Sequence, residues 1–276
     1  MAVLEVDVWV VADHLRVPSA PAHLGRAEQQ RAARMGPAEL AAFLRSRALL
    51  RGVLAERLGC RPDEVELRAQ CPDCGGGHGR LEVHVPRGRG PFVSLTRSSG
   101  AVAVAVSDAG PVGVDLESRR AVRPALAGVA LSAAERRELD GVPGWRRGRV
   151  LARAWVRKEA VLKAVGTGLR TPPSHVEAAP CGHRHGFCAT VAGVRVAQGA
   201  DLALARRWAG AVAVVPAGLP PPAHGRAAPV GRGAAGPDAC ELPPLQVRVR
   251  HGFGAGIPLD QGTHPARWEA APPAHR

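Results

Sequence analysis

Two segments carry side chains whose types and spacing could do chemistry together. The first, VGVDLE at 112–117, sets Asp115 and Glu117 two residues apart, so on a strand both carboxylates point to one face while Val114 and Leu116 point to the other. Neighbouring acids on an otherwise apolar strand repel each other unless a cation lies between them, and Mg²⁺ takes hard oxygen donors of this kind. A solvated strand end would also tolerate the pair. The second segment, WVRKEAVLK at 155–163, holds both lysines of a chain in which every other one of the 37 Lys and Arg residues is arginine. An ammonium is a compact charge whose proton can move, whereas a guanidinium is a planar, permanently charged fork, so lysine in this background points to a place where arginine would not serve. On a helix Trp155, Glu159 and Lys163 follow at one-turn intervals and share a face. The same spacing describes an ordinary surface ion pair worth about 0.3–0.5 kcal/mol, and the residues alone leave both readings standing.

Other side chains could serve the same chemistry. In the segment PAELAAFLRSRALLRGVLAERL the stripe Leu40, Phe43, Leu44, Leu50, Leu54 and Leu58 contains Arg47, which either meets an anion or snorkels its head into water. Arg80 and the pair Thr96-Arg97 precede the acidic strand and supply cationic and hydroxyl donors suited to phosphate. Ser132 and Glu135 have capping-box spacing, which gives Glu135 a structural task with or without a catalytic one. Cys71, Cys74 and His78, with Cys181, His183, His185 and Cys188, suggest zinc, but neither cluster has a clean paired spacing.

The totals bound the choices. A chain of 276 residues with 46% hydrophobic content can bury one large core or two smaller ones. No apolar run approaches the roughly 20 residues of a membrane span, and no signal peptide opens the chain, so a cytoplasmic protein is expected. Six cysteines in a chain of this length do not read as a disulfide framework, so reduced thiols are expected. A formal charge of +13 favours anionic partners. Aromatic content of 3% with no Tyr removes most of the stacking surface that single-strand binders use, which weakens a nucleic-acid reading.

The positioning elements read as an α+β arrangement. Residues 2–11 predict a strand; a helical segment near 24–35 is followed by a helix that restarts at Gly36-Pro37 and stops at Gly59. Five strand-like runs follow at 64–69, 80–85, 92–96, 101–107 and 112–117, expected to form a sheet. Helical patterns at 124–140 and 147–166 and strand-like runs near 187–198 and 210–215 complete the pattern. From 217 to 276 the composition turns to Pro, Gly, Ala, Arg and His, predicting disorder, with VRVR at 247–250 too isolated to form a domain.

The spacing from GVDLE to WVRKEAVLK, with KAVGTGL after it, resembles the 4′-phosphopantetheinyl transferases of the Sfp type. SRALLRGVLAERLG, CPDCGGGHGR and SLTRSSG add to the resemblance, the last two being similar to bacterial secondary-metabolism members. It covers about residues 1–215. The resemblance implies two similar α+β halves related by a pseudo-twofold axis, here 1–110 and 111–216, with coenzyme A and Mg²⁺ in the cleft between them. It implies transfer of phosphopantetheine to a serine of an acyl or peptidyl carrier protein, of the kind found in polyketide and nonribosomal peptide synthases, by a monomer that takes no nucleic acid. By motif, Asp115, Glu117 and Glu159 would hold Mg²⁺, and Lys163 would serve the departing phosphate. Glu159 or Glu135 would deprotonate the serine. Arg31, Arg34, Arg47, Arg80, Thr96 and Arg97, with Asp115, would hold coenzyme A. The chain departs from the pattern at Thr96-Arg97, where Ser-His is common, and at Leu81, where Pro is common. An arginine-rich nucleic-acid-binding protein and a zinc-stabilised interaction module are the alternatives from other classes.

Overall fold

The structure, a computed structural model, describes residues 3–12, 24–69, 75–76, 79–86, 88–98, 100–181, 185–216 and 245–251. The fold is α+β, as the order of patterns predicts. Strand β1 (Leu4–Ala12) is followed by helices α1 (Arg26–Ala32) and α2 (Pro37–Leu58), then strands β2 (Glu66–Ala69), β3 (Leu81–His84), β4 (Phe92–Ser98), β5 (Ala101–Ser107) and β6 (Val112–Ser118). Helices α3 (Leu126–Ala130), α4 (Ala133–Asp140) and α5 (Gly144–Val165) come next, then β7 (Val176–Pro180), β8 (Gly186–Val191), β9 (Val194–Asp201), β10 (Trp208–Val214) and β11 (Leu245–His251).

The five central runs do not share one sheet. β2 and β3 form a separate hairpin, β4 and β5 join a four-stranded sheet in the order β11-β1-β5-β4, and β6 leads a five-stranded sheet in the order β6-β10-β9-β8-β7. The pairings that separate these runs are non-local, β1 with β11 and β5 and β6 with β10, so the pattern of each strand gives its faces without naming its neighbour. Packing follows from those faces. Val11, Val104 and Val106 meet Leu49, Leu50, Val53 and Leu54 of α2, while Val6, Val8, Ala103 and Ala105 meet Val112, Val114, Leu116, Val212 and Val214 of the second sheet. The other face of that sheet, with Phe187, Ala189, Ala197, Ala211 and Ala213, packs on Val156, Ala160, Val161 and Ala164 of α5. The layers are therefore helix, sheet, sheet, helix. Every residue of β5 is buried, as its unbroken AVAVAVS run requires of a strand covered on both faces.

The second sheet can lie close to α5 because of Gly113. A Cβ there would stand 2.0 Å from the Ala160 carbonyl oxygen and 2.5 Å from the Ala164 nitrogen, so any side chain would push strand and helix apart. Gly113, Asp115 and Glu117 share one face of β6 by strand alternation, which turns both carboxylates toward α5.

One expectation needs correction. Residues 245–251 are not disordered: Leu245–His251 forms β11 and runs parallel to β1, with Leu4 opposite Leu245 and Val10 opposite His251. VRVR looked too isolated because its partner lies some 240 positions away in the chain. Arg248 donates to the buried Asp7 at 2.8 Å and to Glu5 at 3.0 Å, which closes the edge of β1 electrostatically as well as by backbone pairing. Residues 217–244 and 252–276 lie outside the described residues. β7 was also missed, because Pro172-Pro173 just before it and Pro180 at its end mask the pattern.

Candidate functional site

α5 brings the second motif against the first. It runs 22 residues to a left-handed Gly166, and the sequence supplies the alternation of small apolar and charged positions that sets Ala160 and Ala164 onto β6 while Glu159 and Lys163 reach its acidic face. Lys163 Nζ donates to Asp115 Oδ1 at 2.6 Å and to the Val114 carbonyl at 3.1 Å. It is therefore a tertiary contact between helix and strand and not half of an exposed pair on the helix surface.

Asp115 is buried, and its Oδ2 has no hydrogen-bond partner; the same holds for Oε1 of Glu159. Burial raises the carboxyl pKa of both Glu117 and Glu159 above the ordinary value, and the neighbouring Asp115 charge raises each further. Lys163 works in the opposite direction on both. Three interacting carboxylates with one ammonium leave uncompensated negative charge where Asp115 is buried and Glu117 and Glu159 are half-buried. Among the described residues no preformed group of three His, Cys, Asp or Glu side chains stands ready for a metal ion. The donor set nevertheless fits a hard divalent cation in kind: two buried, unpartnered carboxylate oxygens and a third carboxylate on the same strand face.

Lys163 also lines a cavity of about 780 Å³, whose wall includes Arg31, Arg47, Arg80, Arg97 and Arg170. Three guanidinium groups, of Arg31, Arg47 and Arg97, lie 5.9, 5.0 and 5.4 Å from the centroid of the buried Phe43 ring. Glu28 answers part of this charge, pairing with Arg47 at 2.6 Å and Arg51 at 2.9 Å. Burial, chiefly, holds the Arg47 pKa down to about 10, with Glu28 opposing and Arg97, Arg31 and Arg51 adding to the depression. Arg47 Nη1, Arg80 Nε and Thr167 Oγ1, all on residues of the cavity wall, are buried donors with no acceptor. An unmet buried donor costs about 1–3 kcal/mol, so the chemistry of this wall suits an anion that supplies acceptors.

The predicted residues distribute unevenly. The structure brings Asp115, Glu117, Glu159 and Lys163 together, and places Arg31, Arg47, Arg80 and Arg97 around the cavity. Arg47 does not snorkel; its head is buried. Arg80 lies at the C-terminus of α5, where Nη2 donates to the carbonyls of Lys163, at 3.1 Å, and of Ala164. Arg34 is exposed and is not part of the cavity wall. Thr96 is not part of the cavity wall and donates to Asp115 Oδ1 at 3.0 Å. Glu135 forms the expected capping box with Ser132. Its Oε2 also accepts from Lys158 Nζ at 2.5 Å. Lys158 is fully buried, with its pKa lowered by burial against the opposing pull of Glu135. Ser94, Ser98, Glu28 and Arg170 were not anticipated; the alternation Ser94, Thr96, Ser98 on β4 was the signal available in the sequence. Cys71, Cys74, His78 and His183 lie outside the described residues. Of the remaining zinc candidates, Cys181 is half-buried, His185 exposed and Cys188 buried.

The match to a known family falls on the part of the chain that carries Asp115, Glu117, Glu159 and Lys163. Residues 111–209, from the start of the acidic strand to β10, match the family model of the 4′-phosphopantetheinyl transferase superfamily. A Synechocystis protein named "Putative 4′-phosphopantetheinyl transferase" is 28% identical over 168 residues, covering 59% of this chain and 65% of that protein, so the match spans just under two thirds of the relative's length. The crystal structure of Thermotoga maritima holo-[acyl-carrier-protein] synthase aligns at 25% identity over 38% of this chain and 62% of that one, with a TM-score of 0.33. The family match and the curated relative support the superfamily that the two motifs resemble. No helix among the described residues is long and apolar enough to cross a membrane.

Proposed function

We propose that this protein transfers the 4′-phosphopantetheine group of coenzyme A to a serine hydroxyl of a carrier protein. The observation that carries the reading is the double role of Lys163, which lines a cavity with unmet cationic and hydroxyl donors and at the same time holds Asp115 within the carboxylate group. A polyanion with a reactive pyrophosphate fits the two regions together: its phosphates satisfy the donors, and its scissile bond reaches the end where Lys163 sits. The serine oxygen bonds to phosphorus, the phosphorus–oxygen bond to the adenosine side breaks, and adenosine 3′,5′-bisphosphate leaves with the electron pair. Such transfer is chiefly positioning and charge neutralisation, for which these side chains suit.

Asp115, Glu117 and Glu159 are the residues that would hold Mg²⁺, which when bound would neutralise pyrophosphate charge. Lys163 stabilises the departing phosphate and can give it a proton. Of the two acids able to take the serine proton, Glu159 has an unpartnered oxygen, whereas Oε2 of Glu135 is shared by Lys158 and the Ser132 amide. We assign the proton to Glu159. Arg31, Arg47 and Arg97 hold the non-reacting phosphate end.

We further read the chain as two similar halves, 1–110 and 111–216, and as an Sfp-type enzyme. Support comes from a 22-residue helix ending at a left-handed glycine in each part, α2 at Gly59 and α5 at Gly166, each packed on its own sheet. β11 would then belong with the first half. Carrier domains of polyketide or nonribosomal peptide synthases are the partners that reading favours, acted on by a cytoplasmic monomer. Incubating the protein with coenzyme A, Mg²⁺ and a panel of carrier domains tests it by mass spectrometry. A carrier gaining one phosphopantetheine mass is expected; no gain on any acyl or peptidyl carrier, with salt-dependent binding to DNA or RNA instead, would move the assignment to the nucleic-acid reading.

A further inference from the structure

β4 and β6 lie side by side but belong to different sheets, with no backbone ladder between them. Side-chain hydroxyls fill the seam. Ser94, Thr96 and Ser98 alternate along β4 and so share a face. Ser94 Oγ accepts from the Val114 amide at 3.1 Å, and Ser98 Oγ accepts from the Ser118 amide at 3.2 Å. Between and beside these, Thr96 Oγ1 donates to Asp115 Oδ1 at 3.0 Å and Ser98 Oγ donates to Glu117 Oε2 at 3.0 Å. The two serines thus fix the backbone of the acidic strand, and Thr96 and Ser98 each hold one oxygen of one acid.

The consequence is clearest at Asp115. Oδ1 accepts from both Thr96 and Lys163, while Oδ2 is buried without a partner. A carboxylate with one oxygen held by a hydroxyl and an ammonium has its plane fixed, so the open oxygen presents one direction only. Thr96 and Asp115 are both buried, which removes water as a substitute for either contact.

We infer that Thr96 and Ser98 are positioning residues: they aim the Asp115 and Glu117 carboxylates at a divalent cation and do not themselves touch coenzyme A. This rests on the transferase reading for the purpose of the cation, and on geometry alone for the hydroxyl contacts. It changes the role the motif resemblance gives Thr96, from ligand of the nucleotide to holder of an acid.

The test uses the full chain and its Thr96→Val, Thr96→Ser and Ser98→Ala variants. Valine keeps the shape of threonine without its hydroxyl; serine keeps the hydroxyl. Mn²⁺ binding is measured by calorimetry, and transfer kinetics are run in parallel. Thr96→Val should weaken Mn²⁺ binding about 10-fold, the lower scale for losing an outer-shell contact to a ligating group, and Thr96→Ser should restore it. In kinetics, Thr96→Val should lower kcat at fixed metal and leave the KM for coenzyme A unchanged. Ser98→Ala should weaken Mn²⁺ binding in the same direction, and it carries the test if Thr96→Val does not fold. Unchanged Mn²⁺ affinity with a raised KM for coenzyme A would overturn the inference, as would a wild-type protein that binds no Mn²⁺. If the wild type binds Mn²⁺ with this dependence on Thr96 but modifies no carrier, the transferase reading falls and the positioning role stands.

Discussion

α2 and α5 have the same length, end at the same kind of left-handed glycine and both bury charged side chains, yet they settle those charges in different ways. On α2 the buried Arg47 and Arg51 share Glu28, a carboxylate from α1, so much of their charge is answered within the protein. α5 answers Lys158 with Glu135 and Lys163 with Asp115, but Glu159 keeps an unpartnered buried oxygen beside two other acids. The difference teaches which helix holds and which acts: on α2 the shared Glu28 fixes the guanidinium groups and leaves a donor of Arg47 open, whereas on α5 it is carboxylate oxygen that is left open beside further acids. Buried charge without a partner is costly, so its retention points to a ligand that completes it.

The strongest way to break this contrast is to remove the open charge. Glu159→Gln should lower carrier modification by about 10³-fold, the upper range for losing a positioned electrostatic group, while the fold persists. Comparable turnover in the variant would show Glu159 to be a passive member of the helix. Next comes Lys163→Arg, which keeps the charge but replaces a compact donor by a bulky one that cannot release its proton; turnover should fall about 10²-fold. Arg157→Lys makes the contrasting swap nearby. Arg157 grips Asp201 through Nε and Nη2 at 2.7 and 2.9 Å, so lysine there should lower the melting temperature and leave the rate per folded molecule alone.

On the α2 side the expected effect is smaller and of another kind. Arg47→Ala should raise the KM for coenzyme A about 10-fold with kcat nearly unchanged, since a clamp on the non-reacting end contributes uniform binding. A fall in kcat at constant KM would erase the distinction between the helices.

The smallest effect is a dependence of stability on pH. Because Glu117 and Glu159 have folded pKa values above the ordinary carboxylate value of 4.5, the folded protein keeps protons that the unfolded chain has shed. Their contribution is present in full below that ordinary value and is lost as pH rises through the raised folded values. Without divalent metal the melting temperature of wild type, relative to a Glu117→Gln, Glu159→Gln variant, should therefore decline as pH climbs out of the acid range. Adding Mg²⁺ should remove the decline. A difference that stays flat with pH would mean the two acids are already neutralised within the protein.

The sequence made local features legible and hid the pairings. Gly36-Pro37 and Gly59 mark the ends of α2, and Ser132 with Glu135 marks the start of α4, because caps are written within a few residues. The carboxylate pair and the Glu159 to Lys163 turn were equally visible. That Lys163 would reach across to Asp115 instead of back to Glu159 was not, since Gly113 controls how near β6 comes to α5 and that approach is tertiary. Arg80 shows the same limit: its charge suggested a phosphate, but the carbonyls ending α5 occupy part of it. β11 was hidden for the plainest reason, a partner strand at the other end of the chain.

The most direct test of the central claim, that the open carboxylates of α5 and β6 and the donor-lined cavity form one transferase site joined by Lys163, is a mass measurement. Wild type, Lys163→Arg and Arg157→Lys are each incubated with coenzyme A, Mg²⁺ and a carrier domain, and the modified fraction is followed with time. The account predicts one phosphopantetheine added per carrier by wild type and, per folded molecule, by Arg157→Lys, with Lys163→Arg slower by about 10²-fold. Equal rates for wild type and both variants would contradict it.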